Sequence, residues 1–254
     1  MKFSILIPTF NSAKTIQDTI DSITLQKFTS YEIIVIDNNS TDHTIKILKK
    51  NKLPNIKFII EKDEGIYDAI NKGILNARGD IISLLHSDDI YYNSSVLSNI
   101  SEIFNHKKKI NIVYGDLVYV KKNNLKKIIR YWKCSSFFPG RFSKGWHPPH
   151  PTFFVKKKIY IKYGLYKNYI GNSADVELMY RFLEINKISS FYLNQILVKM
   201  RYGGKSNKKI SSIVSQNLAI LNFLGINKSL IKVVLFFFYK IINRLKQFYF
   251  KPKK

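Results

Sequence analysis

The chain has one cysteine, Cys134, in 254 residues. A lone thiol cannot close an intramolecular bridge, and no C-x-x-C pair or Cys/His cluster is present, so neither a secreted disulfide framework nor a structural zinc site is supported. A reducing cytosol fits best. Long apolar runs are missing too. Pro8-Thr9-Phe10-Asn11 cuts short the apolar opening Phe3-Ser4-Ile5-Leu6-Ile7, which therefore reads as a buried strand and not as a signal peptide. Near the other end, Leu230–Phe250 is broken by Lys232, Lys240, Arg244 and Lys246, leaving Val233–Tyr239 as its longest uncharged run. Seven residues fall far short of the roughly 20 that span a bilayer, which excludes a transmembrane helix there. Glycine-rich phosphate loops of the G-x-G-x-x-G or Walker type are also absent, which argues against a dinucleotide or P-loop site.

Acidic residues are scarce in one part of the chain only. Residues 1–120 hold 14 Lys+Arg and 14 Asp+Glu, whereas residues 121–254 hold 28 basic residues and just Asp175, Glu177 and Glu184. The net charge of +25 therefore belongs entirely to the second part. With 45% hydrophobic residues the chain can bury a substantial core, as one large domain or one domain with appendages.

In the balanced first part, short β-branched runs alternate with helix-length polar segments, the pattern of βαβ units in a doubly wound α/β sheet. Strands are expected at Ser4–Ile7, Glu32–Ile36, Ile56–Ile60 and Asp80–Leu85, with helices at about Ser12–Gln26, Asp42–Lys49 and Ile66–Asn76. Residues 110–170 are less regular, with a strand at Ile112–Val120, a charged turn at Lys121-Lys122-Asn123-Asn124 and loops bearing Pro and Gly around Phe137–Pro151. Helices at Ala174–Asn186 and Ile210–Leu224 flank a strand at Phe191–Met200 and a loop at Arg201–Asn207. We divide the chain into a domain over 1–208, made of a charge-balanced part over 1–120 and a basic part over 121–208, and a basic helical tail over 209–254. The mixture of Phe, Tyr, Leu and Ile with Lys and Arg in the tail reads as an interfacial helix on an anionic membrane; packing on the domain or on a second subunit is the other reading.

Open α/β sheets bind ligands beyond the carboxyl ends of their strands, and polar residues crowd those ends here. They are Thr9 and Asn11, then Asp37-Asn38-Asn39-Ser40-Thr41-Asp42, then Glu61-Lys62-Asp63-Glu64-Gly65, then His86-Ser87-Asp88-Asp89. Asp37 could accept hydrogen bonds from a ribose hydroxyl or a base N–H. Asp88 and Asp89 could neutralise a diphosphate through Mg²⁺ or Mn²⁺, which take oxygen ligands and bridge carboxylates to phosphates. Read alone, such a pair is more often a helix cap or a solvated turn.

Together these blocks, with Gly65–Gly73, His150-Pro151-Thr152-Phe153-Phe154, Ala174-Asp175-Val176-Glu177-Leu178-Met179-Tyr180-Arg181 and Met200–Ser206, resemble glycosyltransferase family 2, whose members have the GT-A fold, a Rossmann-like and mostly parallel sheet with flanking helices. Seven blocks follow family order across residues 3–206. The resemblance implies a nucleoside held by Thr9, Asn11 and Asp37, Asp68 and Lys72 near the nucleotide and diphosphate, and Asp88 with Asp89 on a metal ion. It places nucleotide binding in 1–120 and acceptor binding in 121–208, with His150 at the acceptor or diphosphate and Asp175 as catalytic base; Gly203, Gly204 and Lys205 could close over the acceptor or diphosphate as a flap, or form a plain hairpin turn. His86 stands where the family's D-x-D signature has its first aspartate. Glu177 and Glu184 could instead pair with Arg181 at helical spacing.

The implied activity is inverting transfer of a sugar from a UDP-, GDP- or dTDP-linked donor to a lipid-linked saccharide, in O-antigen, capsule or related surface-polysaccharide synthesis, at the inner face of the cytoplasmic membrane. Two other classes compete. An inactive nucleotide-sugar-binding partner of a synthase complex is opposed by intact Asp88, Asp89 and Asp175. A nucleic-acid-binding protein would fit the charge, but no nucleic-acid module is present and the aromatics sit in strand-like blocks.

Overall fold

The computed structural model describes residues 1–53, 55–203, 210–249 and 252. A nine-stranded mixed sheet runs through the molecule, formed by β1 (Phe3–Thr9), β2 (Tyr31–Asp37), β3 (Ile56–Ile60), β4 (Ile81–Leu84), β5 (Ile90–Tyr91), β6 (Ile112–Lys121), β7 (Asn124–Trp132), β8 (Phe154–Lys156) and β9 (Ser190–Arg201). Its order is β3-β2-β1-β4-β8-β6-β9-β5, with β7 paired to β6. Strands β3, β2, β1 and β4 are parallel, as are β6 and β9, while β8, β5 and β7 run antiparallel to their partners.

Alternation along the strands explains the layering. Phe3, Ile5, Ile7, Ile33, Val35 and Ile81 face one core, where α1 (Ile16–Thr24), α2 (Thr44–Lys50) and α4 (Val96–His106) pack, while Leu6, Ile34, Ile36, Ile82 and Leu84 face a second core on the opposite side. That second core takes in α3 (Ile66–Asn76), α5 (Lys157–Tyr163), α6 (Ala174–Tyr180), α7 (Ile210–Phe223) and α8 (Leu230–Tyr249). A strand covered on both faces must be apolar throughout, as β1 is except at Ser4, Pro8 and Thr9. Fully burying each such Ile or Leu stabilises by about 1.5–3 kcal/mol. Ser4 is satisfied inside the core: its hydroxyl donates to Glu32 at 2.6 Å, and the same carboxylate accepts the backbone N–H groups of Arg78 and Gly79. Burial works to raise the Glu32 pKa, but those hydrogen bonds and the charge of Lys2 bring it below the usual carboxylate value, clamping β2 to the entry of β4.

The helix expected at Ala174–Asn186 changes character midway. Regular α6 ends at Tyr180 and a π turn follows over Arg181–Ile185, with the Asn186 N–H reaching back to the Arg181 carbonyl. Glu177 on α6 is buried and ion-paired to Arg181 and Lys167, and Arg181 also donates to the carbonyls of Tyr163, Gly164 and Leu165, fastening α6 to the end of α5. Helix α8 lies against the domain. Phe236 is 1% exposed, Asn243 donates to the Lys144 carbonyl, and Arg130 of β7 donates to Gln247. No described helix is long and apolar enough to cross a membrane.

Candidate active site

The loops that follow β1, β2 and β4 are tied into one rim. After β1, Asn11 adopts φ 48°, a left-handed conformation that asparagine tolerates better than most residues. Its backbone N–H donates to the Ser40 hydroxyl, and its side-chain oxygen accepts from the Thr41 N–H. Ser40 in turn donates from both hydroxyl and backbone to Asp37 at the end of β2, at 2.6 and 2.7 Å. Ser12 and Thr15 then reach the β4 loop through the Ser87 hydroxyl and carbonyl. Asp37 itself is fully buried, its carboxylate held by Ser40, so on the nucleoside side it is Asn11 that lies exposed at the carboxyl edge of the sheet, on a loop joined to the one that bears half-buried Asp88.

Thr9 also sits on this rim, with its hydroxyl donated to the Ile7 carbonyl and 4% of its surface exposed. Asp68 and Lys72 lie on the first two turns of α3, where Lys72 already binds Asp68, Glu61 and the Lys62 carbonyl. Those two carboxylates raise the Lys72 pKa against a small effect of burial. Asp63, which sequence reasoning did not single out, lies beside them. Burial raises its pKa, the Gly65 N–H opposes this, and the charges of Asp68 and Asp37 add to the rise.

The two adjacent aspartates after β4 part company. Asp88 is half-buried and no hydrogen bond reaches its carboxylate among the described residues, while Arg201 holds its backbone carbonyl. Asp89 is wholly buried behind it, and neither of its carboxylate oxygens has a hydrogen-bond partner among the described residues. Burial, reinforced by Asp88, raises the Asp89 pKa well above the usual range. The expected pair of metal ligands therefore does not share one accessible face: the chain direction after Ser87 turns Asp89 inward beneath α1, where its carbonyl accepts from Thr19. Asp88 with His86 nearby offers the oxygen and nitrogen donors that Mg²⁺ or Mn²⁺ accepts. The described residues hold no cluster of three or more His, Cys, Asp or Glu side chains suited to a metal. Such an ion would complete its shell with phosphate oxygens and water, the usual way Mg²⁺ is held.

Asp175, in the first turn of α6, is the centre of a polar cluster drawn from four elements. Its carboxylate accepts from the Val176 N–H at 2.8 Å and from the Tyr67 hydroxyl. Burial raises its pKa, against the opposing influence of His147 and these hydrogen bonds. His147, across from it, is pushed down by burial. Tyr67 stacks on Tyr166 with ring centroids 5.5 Å apart, Tyr166 meets His150 Nε2 at 2.7 Å, and His150 faces His86 at 6.3 Å. Buried between Pro149 and Pro151, His150 has its pKa lowered to about 3 by desolvation and by His86, so it stays neutral. His86 senses both Asp88 and Asp175. The structure thus assembles Asp88, His86, His150 and Asp175, and adds Tyr67, His147 and Lys240. Lys240 comes from α8: its amine donates to Asn217 at 2.6 Å, and burial with the charge of Arg244, against the opposing charge of Asp175, lowers its pKa to about 8. The only sequence signal for Lys240 was a charge interrupting an apolar run. Gly203 follows β9 with φ 99°, whereas Gly204 and Lys205 fall outside the described residues.

The arrangement brings two half-buried carboxylates, Asp88 and Asp175, within the electrostatic reach of His86. Known proteins resemble this chain in sequence and fold. The sequence profile described as glycosyl transferase family 2 matches residues 4–164. A PGL/p-HBAD biosynthesis glycosyltransferase of Mycobacterium bovis (strain BCG / Pasteur 1173P2) is 27% identical over 236 residues, covering 91% of this chain and 89% of that one. Among solved structures, S. aureus TarS 1–349 in complex with UDP-GlcNAc shares the fold at a TM-score of 0.64 and 19% identity, covering 87% of this chain and 67% of that one. The mannosyltransferase PcManGT from Pyrobaculum calidifontis, in complex with GDP-Man and Mn²⁺, does so at 0.60 and 14%, covering 99% and 88%. This chain belongs to glycosyltransferase family 2.

Proposed function

We propose that this protein transfers a sugar, with inversion, from a nucleoside diphosphate sugar to a lipid-linked saccharide during synthesis of a cell-surface polysaccharide. The observation that carries this reading is the half-buried Asp175 carboxylate, faced by His86, which lies two residues before Asp88 on the same rim as Asp37. Asn11 and Asp37 would grip the nucleoside. Asp88, with His86 as second donor, would hold a divalent cation that neutralises charge on the departing diphosphate. Asp175 would take the proton from the acceptor hydroxyl as that oxygen attacks the anomeric carbon. A carboxylate whose pKa burial has raised is a stronger base for this step than a solvated one. Tyr67 and the Val176 N–H fix its orientation, and neutral His150 with Tyr166 forms a rigid wall beside it.

Location at a membrane is supported by α8. Its inward side carries Phe236, Lys240, Asn243 and Gln247, and its outward side exposes Ile231, Val234, Phe238, Ile241, Leu245 and Phe248 at helical spacing. With Lys232, Arg244 and Lys246 on the same helix, that side suits the surface of an anionic membrane.

Incubating the protein with UDP-, GDP- and dTDP-sugars, with and without Mn²⁺, tests the reading. Release of nucleoside diphosphate from one donor, faster with the metal, is the expected result; no release from any donor rejects it.

A further inference from the structure

Next to the site, and so far without a role, a cleft of about 220 Å³ lies between the end of β7, the loop around Phe142–Gly145 and α8. The walls of the cleft combine two chemistries. Trp132 and Trp146 supply flat apolar rings, and Lys133, Arg141 and Lys246 supply positive charge. Arg141 is held between Phe138 and Trp146, its guanidinium carbon 4.7 and 4.4 Å from their ring centres, while it donates to Ser135 and to the Ser136 carbonyl.

Of the acidic residues near these cations, Asp116 lies beside the cleft, where it accepts from the Tyr131 hydroxyl and the Cys134 N–H and burial raises its pKa against these hydrogen bonds and the charge of Lys133. Beyond residue 120 there are three: Glu177 is bound by Arg181 and Lys167, Glu184 accepts the Gly140 N–H, and Asp175 faces His147. None of the ion pairs among the described residues involves Lys133, Arg141 or Lys246. Burial accordingly lowers the Arg141 pKa, with no carboxylate to oppose it. Arg141 and Lys246, with no ion pair among the described residues, leave positive charge for an external anion, while Lys133 also faces Asp116.

Two contacts tie the cleft to the catalytic centre. His147 lines it and packs edge-on to Trp132 at 5.1 Å, while its imidazole is in the field of Asp175. Helix α8 supplies the remaining wall through Asn243, Lys246 and Gln247, and lies so close that a Cβ on Gly145 would sit 2.9 Å from that of Lys240. The apolar outward side of α8 begins one helix face away.

We propose that this cleft is the subsite for the phosphate-bearing end of the acceptor, whose sugar reaches Asp175 past His147 while its lipid leaves along α8. The proposal rests on the functional reading above and specifies which part of the acceptor is recognised. A volume of about 220 Å³ suits a diphosphate or one sugar ring, several times the roughly 30 Å³ share of a water molecule. The ring of half-buried Trp132 then borders the first sugar.

The chain contains two tryptophans, and both line this cleft, so intrinsic fluorescence reports on it directly. The full-length protein is titrated with farnesyl diphosphate, inorganic pyrophosphate, octyl glucoside and phosphatidylglycerol vesicles. The same titrations are run on a Lys133→Glu/Lys246→Glu double variant and on Asp37→Asn, with thermal midpoints recorded to confirm folding. Farnesyl diphosphate should change the emission saturably, pyrophosphate should compete for that change, and the double variant should weaken binding at least tenfold while Asp37→Asn leaves it unaltered. The proposal is overturned by any of three results: no saturable change, a change that follows Asp37 and not the two lysines, or an equal response to octyl glucoside or to vesicles alone. Donor turnover is scored separately, so a failed cleft and a failed transferase reading give different results.

Discussion

Replacing Asp175 by Asn keeps the shape of the side chain, and the Val176 N–H and the Tyr67 hydroxyl can still donate to the amide oxygen. What disappears is the capacity to take a proton. A positioned general base contributes about 10²–10⁴ in rate, which at 1.36 kcal/mol per tenfold is roughly 2.7–5.4 kcal/mol of transition-state stabilisation. On the proposed reading the loss should appear in kcat, because the donor would be held by Asp37 and Asp88 and not by Asp175. Stability should move the other way. Burial raises the Asp175 pKa in the folded state, so above that pKa the ionised carboxylate is a liability that the unfolded chain does not share. The variant should therefore unfold at the same temperature as the parent, or higher, at neutral pH. Initial rates by nucleoside diphosphate release, with donor affinity by calorimetry and a melting curve, separate these effects. A variant that turns over within tenfold of the parent, or that loses donor affinity in proportion to rate, refutes the assignment of the base.

Three further outcomes follow from other parts of the molecule. The acid limb of the rate–pH profile should fall at a pH above the ordinary Asp value, since Asp175 must be ionised to act and its pKa is raised; a profile flat down to about pH 4 contradicts this. Glu177→Ala should destabilise by about 2–3 kcal/mol, below the usual 3–5 for a broken buried pair because Arg181 keeps its three carbonyl partners, lowering the melting temperature by about 5–10 °C. Ile241→Asp with Leu245→Asp, on the outward side of α8, should reduce co-sedimentation with phosphatidylglycerol vesicles at least about tenfold without shifting the melting curve, each buried side chain being worth about 1.5–3 kcal/mol.

Local pattern carried much of the first half of this fold. Ile56–Ile60 and Ile66–Asn76 have the boundaries that period-two and helical patterning indicate, and β1 and β2 extend their expected cores by one to three residues. Elements defined by partners were harder to read. Strand β7 is a lysine-rich edge that exists because β6 pairs with it, and β8 is three residues whose pairing with both β4 and β6 comes entirely from the tertiary fold. Amphipathic α4 turns Leu97, Ile100 and Phe104 inward at regular helical spacing, a signal outside the helices expected above. At the site, polar residues at strand ends could be read because the sheet places them there whatever the loops do. The different burial of Asp88 and Asp89 could not, since it depends on how the chain turns beneath α1. Lys240 and His147 meet Asp175 from segments 65 and 28 residues away, a convergence no local pattern encodes.

The most direct test of the account is donor binding at the rim formed by Asn11, Asp37 and Asp88. In a thermal-shift screen of nucleoside diphosphate sugars with Mn²⁺, one donor at 100 times its dissociation constant should stabilise the fold by about 2.7 kcal/mol, a rise of about 5–11 °C for a chain of this length. The rise should vanish in Asp37→Asn and shrink without the metal. No shift with any donor, or one that survives the loss of both Asp37 and Asp88, would contradict it.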